Sequence, residues 1–161
     1  MYYPRNMLNS LLSQTTVNGI RVLLCLALRP AGAIATPRKL AGSLRLSPTY
    51  LAKTTRMLVR SGILRAHHGA KGGVALARLP RDISLLEVVE ACQGKILGAY
   101  CVGGPAPLGV CAFHRSMMEL QDVATNVLSK WNLGGLVARP SPARLIRGRT
   151  ECRMSRAVES L

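Results

Sequence analysis

The sequence predicts a mainly α-helical fold with one small β-hairpin. Thr36-Pro37 and Ser47-Pro48 each place a helix-capping residue before a proline, which suits the first position of a helix. Between residues 67 and 73, three glycines separate two short extended runs, a pattern typical of a hairpin. Apolar residues then recur every three or four positions from Phe113 to Trp131, which predicts a long amphipathic helix.

The N-terminal half contains three predicted helices. Helical apolar spacing predicts the first over Met7–Leu28, with Pro30 just beyond its end. The second is short, Pro37–Leu44. The third begins at Pro48 and runs to about Ser61, and Gly62 follows where a helix end favours a left-handed residue.

The rest of the chain is predicted to hold the hairpin, two more helices and a tail. Ser84 and Glu87 have the spacing of a capping box, which marks the start of the first of these helices. The segment from Gly134 is rich in Pro, Arg and Ser, so we expect most of it to be loosely ordered. In order, the predicted elements are strands 63–66 and 74–77, helix 84–92, a glycine-rich loop 94–110 and helix 112–131.

The charges of the 161-residue chain are sharply divided. Residues 1–81 contain 13 Lys or Arg and no Asp or Glu, whereas residues 82–138 contain three basic and five acidic residues. The net charge is +15. A cationic half of this kind favours a nucleic-acid partner, since phosphate contacts supply most of the affinity in such complexes. The alternative is a basic protein with no particular partner.

The sequence argues against a membrane protein, a secreted protein and an enzyme. No apolar run reaches the roughly 18 residues of a membrane span, and the N-terminus lacks the regions of a secretory signal, so we expect a cytoplasmic protein without a membrane partner. The sequence contains no phosphate-binding or dinucleotide-binding glycine motif. No catalytic set of nucleophile, base and orienting group can be identified in it either. We therefore expect a protein that is not an enzyme.

Two short helices, a tight turn and a hairpin predict a winged helix-turn-helix. In this arrangement the second helix lies in the major groove of DNA and presents its N-terminal residues to the base edges. Basic and hydroxyl side chains recur along one face of that helix, and no acid interrupts them, although surface helices usually mix the two signs. We favour a DNA-reading face over a merely solvated one. Its predicted contacts are Ser47, Thr49, Tyr50, Lys53, Arg56 and Arg60.

The hairpin tip is a second predicted DNA contact. Its glycines would let the backbone approach the sugar-phosphate wall while His68 or Lys71 enters the minor groove; an exposed flexible turn is the alternative. A metal site built from His67 and His68 is disfavoured because neighbouring strand residues point to opposite faces. The predicted contacts of this wing are His68, Lys71, Gly72 and Gly73.

Three segments together resemble the Rrf2 family of bacterial transcription regulators. They are 40–64 with its Ser-Pro-Thr-Tyr-Leu, the Gly-Ala-Lys-Gly-Gly wing at 69–73, and 83–91 after it, within a resemblance covering about residues 15–133. The resemblance implies a homodimer whose long C-terminal helices pair, bound to a near-palindromic operator in double-stranded DNA. The stripe predicted for dimerisation also suits packing within one chain; it comprises Phe113, Met117, Leu120, Ala124, Val127, Leu128 and Trp131.

The sequence also departs from the family pattern. Asn18-Gly19 stands where an aromatic residue and Ala are typical in the first helix, and His68 stands at a wing position that often carries Arg. The second departure would weaken a minor-groove contact unless Lys71 replaces it. The operator sequence of relatives is therefore not transferable.

The resemblance further implies sensing of redox state, iron–sulfur status or nitric oxide through cysteines before the dimerisation helix. Cys101, Cys111 and His114 match family positions, but the middle cysteine is missing. Thiolates and imidazole suit soft iron, so a [2Fe-2S] or [4Fe-4S] cluster is one hypothesis, with Cys92 as the nearest candidate for a fourth ligand. A reversible Cys101–Cys111 disulfide and a chain without sensing chemistry are the others.

These observations lead to one principal interpretation, a dimeric, sequence-specific transcriptional regulator that acts as a repressor. The competing one is a non-specific nucleic-acid-binding protein without a sensor. The predicted organisation is a winged helix-turn-helix domain, a sensor loop, a dimerisation helix and a basic tail, at 1–93, 94–111, 112–133 and 134–161.

Overall fold

The first helix whose full extent the structure describes begins at Gln14. The structure is a computed structural model and describes residues 11–69, 72–96 and 111–138. Helix α1 spans Gln14–Ala27 and is capped by Ser13, whose hydroxyl accepts a hydrogen bond from the Thr16 backbone N–H. The predicted start at Met7 lies outside the described residues. A bend at Leu12 separates Leu11 from α1, so the helix is not continuous across this point.

The next two helices form the predicted helix-turn-helix. Helix α2 spans Pro37–Leu44 and α3 spans Pro48–Arg60, capped by Thr36 and Ser47. Both caps accept a hydrogen bond from the backbone N–H three residues later, and proline occupies the first helical position each time. The turn passes through Arg45, which adopts a left-handed conformation (φ 52°).

The wing is a two-stranded antiparallel hairpin. Strand β1 (Leu64–His67) pairs with β2 (Gly73–Leu76). Ala35, just before α2, adds an isolated bridge to Val74, with both backbone N–H···O distances at 2.9 Å. The wing is therefore joined to the start of the helix-turn-helix as well as to its end. A single 3-10 turn, Pro80–Asp82, follows β2.

Helices α4 (Leu85–Gln93) and α5 (Ala112–Lys130) complete the predicted set. The capping box at the start of α4 is present: the Ser84 hydroxyl accepts from the Glu87 backbone N–H, and the Glu87 carboxylate accepts from the Ser84 backbone N–H. Helix α4 packs against α1, α3 and α5. Apolar side chains from α1 to α4, the hairpin and Leu133 form one core.

The predicted boundary between helix and loose tail needs a correction. Residues Leu133–Ala138 form a further helix, α6, that packs against α1 and the 3-10 turn. Leu133 is fully buried, and its backbone N–H donates to the Ile83 carbonyl at 3.0 Å. The tail expected from Gly134 is thus helical and packed as far as Ala138, because these residues close the core rather than face solvent. The remaining tail residues lie outside the described residues.

The mainly helical architecture with one hairpin confirms the predicted fold class. In the parts of the chain that the structure describes, none of the helices combines the length and apolar character needed to cross a membrane.

Candidate nucleic-acid interface

Helix α3 separates its buried and exposed residues cleanly. The inward face consists of Leu51, Thr54, Thr55 and Leu58, each almost fully buried. The opposite face is exposed and carries Thr49, Lys53, Arg56 and Arg60. The three predicted cations therefore lie along one outward ridge of α3, next to exposed Ser47 at its cap.

The burial of the two threonines was not predicted from the sequence. Thr54 donates its hydroxyl hydrogen bond to the Tyr50 carbonyl at 3.1 Å, and Thr55 donates to the Leu51 carbonyl at 3.0 Å. A hydroxyl that bonds the carbonyl one turn earlier can enter an apolar interior at little cost. The signal for their burial is therefore helical spacing, not hydrophobicity.

Further cations surround α3 and extend the cationic surface. Arg38 and Lys39 are exposed at the start of α2, Arg45 is exposed in the turn between α2 and α3, and Arg65 is exposed on β1. These four residues are not among the DNA contacts predicted from the sequence. Two features of the sequence point to Arg38 and Lys39 on α2. Residues 1–81 contain no acid, and the first helix of a helix-turn-helix crosses the phosphate backbone.

Tyr50 occupies the junction between α3 and α1. Its side chain is half-buried, and its hydroxyl donates a hydrogen bond to the Thr15 hydroxyl oxygen at 3.1 Å. Tyr50 is therefore held at the edge of the predicted DNA-reading face rather than projecting freely from it.

The glycines of the wing have a structural role of their own. A Cβ atom on Gly73 would lie 2.5 Å from the Ala35 carbonyl oxygen, and one on Gly72 would lie 2.6 Å from the His67 carbonyl oxygen. Both contacts are too close for a side chain. His68 is exposed at the tip, while Lys71 lies outside the described residues. The wing thus presents an imidazole on a tightly packed backbone.

Helix α5 carries its apolar residues on two adjoining surfaces. Ala124 is buried, and Met117 and Leu128 are half-buried toward the rest of the chain. The adjoining surface, which we call the outer apolar face, is exposed and consists of Phe113, Leu120, Val123 and Val127, with Trp131 just beyond the helix end. Val123 was not in the predicted stripe. The helix therefore packs on its own chain while leaving a second apolar surface open to solvent.

Two of the predicted cluster ligands lie together at the start of α5. Cys111 is exposed and caps the helix, and its Sγ accepts a hydrogen bond from the His114 backbone N–H at 3.4 Å. Cys101 lies outside the described residues. Within 11–69, 72–96 and 111–138, no group of three or more His, Cys, Asp or Glu side chains is placed to hold a metal ion. The donors described by the structure are therefore insufficient by themselves for a cluster.

Cys92, the predicted candidate for a fourth ligand, lies in the core. It is 5 % exposed and belongs to the apolar core beneath α1. Burial raises the pKa of its thiol to about 11, which disfavours the thiolate that iron binds. This location argues against the predicted role of Cys92 as a fourth ligand. Burial likewise raises the pKa of the Cys25 thiol, against an opposing effect of Arg29 and Arg21.

Comparison with known proteins assigns the chain to a family. Residues 12–139 match the family model described as "Rrf2: Iron-dependent Transcriptional regulator". The chain belongs to the Rrf2 family. Among curated relatives of this Rrf2 chain, a putative HTH-type transcriptional regulator, YwgB of Bacillus subtilis, is 31% identical over 126 residues, which are 74% of this chain and 80% of the relative. The HTH-type transcriptional repressor NsrR of Streptomyces coelicolor is 29% identical over 133 residues, 81% of this chain and 90% of the relative.

Solved structures of other proteins share the fold. The B. subtilis global cysteine regulator CymR has a TM-score of 0.65 at 21% identity, covering 78% of this chain and 95% of CymR. T. potens IscR has a TM-score of 0.65 at 20% identity, covering 84% of this chain and 92% of IscR. These matches confirm the predicted fold, and the family model confirms the predicted family. The relatives are named as transcriptional regulators and not as enzymes, so this Rrf2 chain is a transcriptional regulator.

Proposed function

We propose that this Rrf2 protein is a homodimeric repressor that reads a near-palindromic DNA sequence with helix α3. The observation that carries the proposal is the outward ridge of Lys53, Arg56 and Arg60, directly opposite the buried face of the same helix. Thr49, at the start of that ridge, is small enough for the helix to approach base edges. The wing, with His68 at its tip, would contact the neighbouring minor groove.

The charges support duplex DNA as the partner. Arg38, Lys39 and Arg45 adjoin α3 and are also exposed, so phosphates on both sides of a groove would meet cations. Phosphate contacts position a protein on DNA but do not select a sequence, whereas Arg and Lys side chains that reach guanine edges do. We assign sequence selection to α3 and positioning to α2 and the turn.

Alanine substitution on the ridge tests this assignment. Lys53→Ala and Arg56→Ala should each cost about 1–3 kcal/mol of binding free energy on a duplex selected by the wild-type protein from a random library. Lys130→Ala removes an exposed cation from α5 and serves as the matched control. Unchanged affinity of both ridge variants would refute the assignment of α3. Equal wild-type affinity for every duplex would instead indicate the competing function, non-specific coating of nucleic acid.

A second copy of the chain is the proposed partner of the outer apolar face. Phe113 is 60%, Val123 62% and Val127 51% exposed, an extent of apolar exposure on one helix that typically marks an interaction surface. Pairing of two α5 helices would cover these side chains and place two α3 helices on one duplex. A two-fold symmetric protein of this kind matches a near-palindromic site.

We further propose that Cys101, Cys111 and His114 make DNA binding responsive to a signal. The exposure of Cys111 and its place one turn from His114 support this role. If an iron–sulfur cluster is bound, it would supply ligand exchange and redox chemistry at that end of α5. A Cys101–Cys111 disulfide is the alternative. Absorption spectra and iron analysis of protein purified without oxygen distinguish the two, since only the cluster gives visible bands with stoichiometric iron.

A further inference from the structure

The last residue of α4 holds the first turn of α1. The Gln93 side-chain oxygen accepts two hydrogen bonds, from the Ser13 backbone N–H and from the Thr16 hydroxyl, both at 2.7 Å. Its amide nitrogen donates to the Leu11 carbonyl at 3.1 Å. One side chain thus bonds three residues that are about 80 positions away in the sequence.

The same turn of α1 holds the start of the reading helix. Thr15 lies between Ser13 and Thr16, and its hydroxyl oxygen accepts the hydrogen bond from the Tyr50 hydroxyl. The backbone of Tyr50 is bonded in turn to the Ser47 cap and to the Thr54 hydroxyl. The position of the first turn of α3 is therefore tied, through α1, to the end of α4.

We propose that Gln93 is a positioning residue for DNA recognition: by fixing the first turn of α1, its amide holds Tyr50 and the N-terminal end of α3 where that helix reads DNA. This inference rests on the proposed function of α3. Helix α4 also packs against α5, so a shift at the dimerisation helix would reach α3 along the same hydrogen bonds.

The local geometry indicates that the fold survives the loss of Gln93. The Ser13 hydroxyl caps the Thr16 backbone N–H and lies 3.0 Å from the Thr16 hydroxyl, so the two side chains can still bond each other. The start of α1 would keep its cap and its packing against α4, and would lose only the hydrogen bonds from Gln93. We therefore expect the position of α3 to become less precise while the domain stays folded.

The test compares variants on two duplexes: the one selected by the wild-type protein and a scrambled duplex of the same composition. Gln93→Ala should weaken binding to the selected duplex about fivefold or more and leave binding to the scrambled duplex unchanged. Gln93→Glu keeps the two acceptor bonds but replaces the donor to the Leu11 carbonyl with an acceptor, so its affinity should fall between those of the wild type and Gln93→Ala. Ile83→Val, a fully buried site in the segment before α4, controls for a general loss of stability.

A double-mutant cycle tests the route through Thr15. Thr15→Val removes the bond to Tyr50 while keeping the side-chain shape, so Gln93→Ala should have little further effect in that background. The inference is overturned if Gln93→Ala binds the selected duplex normally, if the two losses simply multiply, or if Ile83→Val causes an equal loss. Selection that enriches no duplex would refute the proposed function, and the inference with it, whereas an enriched duplex with a silent Gln93→Ala refutes the inference alone.

Discussion

The Sγ atom of Cys92 lies 2.8 Å from the position that a Cβ atom would take on Gly19. The other atoms near that position, on Thr54 and Leu58, are at ordinary van der Waals distance. Glycine weakens the interior of a helix, but Gly19 leaves the space that the Cys92 side chain occupies between α1 and α4. At Gly19 the departure from the family pattern therefore has a packing reason.

Gly19→Ala should destabilise the protein by about 1–2 kcal/mol. Overpacking of a core costs about 1–3 kcal/mol, and the gain of about 0.5–1 kcal/mol from replacing a helical glycine offsets only part of it. Urea unfolding of Gly19→Ala in the wild-type and in the Cys92→Ala background separates the two effects. With the sulfur removed, Gly19→Ala should become neutral or stabilising. Equal destabilisation in both backgrounds would contradict the packing explanation.

Two glycine-to-alanine substitutions should change stability in opposite directions. Gly73→Ala places a Cβ atom 2.5 Å from the Ala35 carbonyl oxygen, against backbone that cannot turn aside, and should lower the melting temperature by several degrees. Gly42, in α2, has open space around its Cβ position and a negative φ. Gly42→Ala should therefore stabilise by about 0.4–1 kcal/mol. Calorimetry measures the melting temperature of both variants. An unchanged melting temperature for Gly73→Ala would show that β2 can move away from Ala35 at little cost.

The structure also predicts that Glu87 stabilises the fold and that this stabilisation is lost in acid. Burial alone would raise the pKa of this carboxyl, but hydrogen bonds from the Ser84 backbone, Arg78 and the Ser84 hydroxyl outweigh it and lower the pKa below its usual 4.5. The Arg78–Glu87 distance is 2.7 Å, with both side chains 40% exposed. Because the folded-state pKa is the lower one, the stabilisation is present above the unfolded-state pKa and lost as the pH falls through the folded-state value.

Comparison of Glu87→Gln with Glu90→Gln measures how much the Glu87 carboxylate stabilises the fold. Glu87→Gln should lower the free energy of unfolding at pH 7 by well under about 1 kcal/mol for the solvent-screened ion pair, and the difference from wild type should shrink below pH 4.5. Glu90→Gln removes a carboxylate from the same helix and leaves the Arg78–Glu87 pair intact. A Glu87→Gln effect that persists unchanged in acid would show that the carboxylate charge contributes nothing.

The parts of the fold that the sequence predicts well depend on bonds between near neighbours. The starts of α2, α3 and α4 follow from Thr36, Ser47 and Ser84, each of which caps a backbone N–H three residues later. The outward ridge of α3 follows from spacing within one helix. Such features need no knowledge of the rest of the chain.

The parts of the fold that the sequence does not predict depend on contacts between residues that are far apart along the chain. Leu133 is buried because its backbone joins that of Ile83, and Gly134 packs against the backbone of Arg81; two consecutive glycines gave no local sign of a helix there. The burial of Cys92 depends on Gly19, and the bonds of Gln93 depend on Ser13. Cys111 and His114 were predicted as a pair from the resemblance, and the structure places them one turn apart.

The outer apolar face of α5 permits a matched test of dimerisation. Val127 is 51% exposed on that face, whereas its neighbour Asn126 is exposed on the polar side of the helix. Val127→Glu should put a charge into the proposed α5–α5 contact and shift sedimentation from dimer to monomer, because an unpaired charge buried in an apolar interface is strongly unfavourable. Asn126→Glu adds the same charge and should remain dimeric.

A Val127→Glu monomer that still folds should lose affinity for a duplex with two half-sites far more than for a duplex with one, since linking two reading helices strengthens binding to two half-sites. Dimers formed equally by both variants would locate the subunit contact elsewhere and leave the exposed valines without this role.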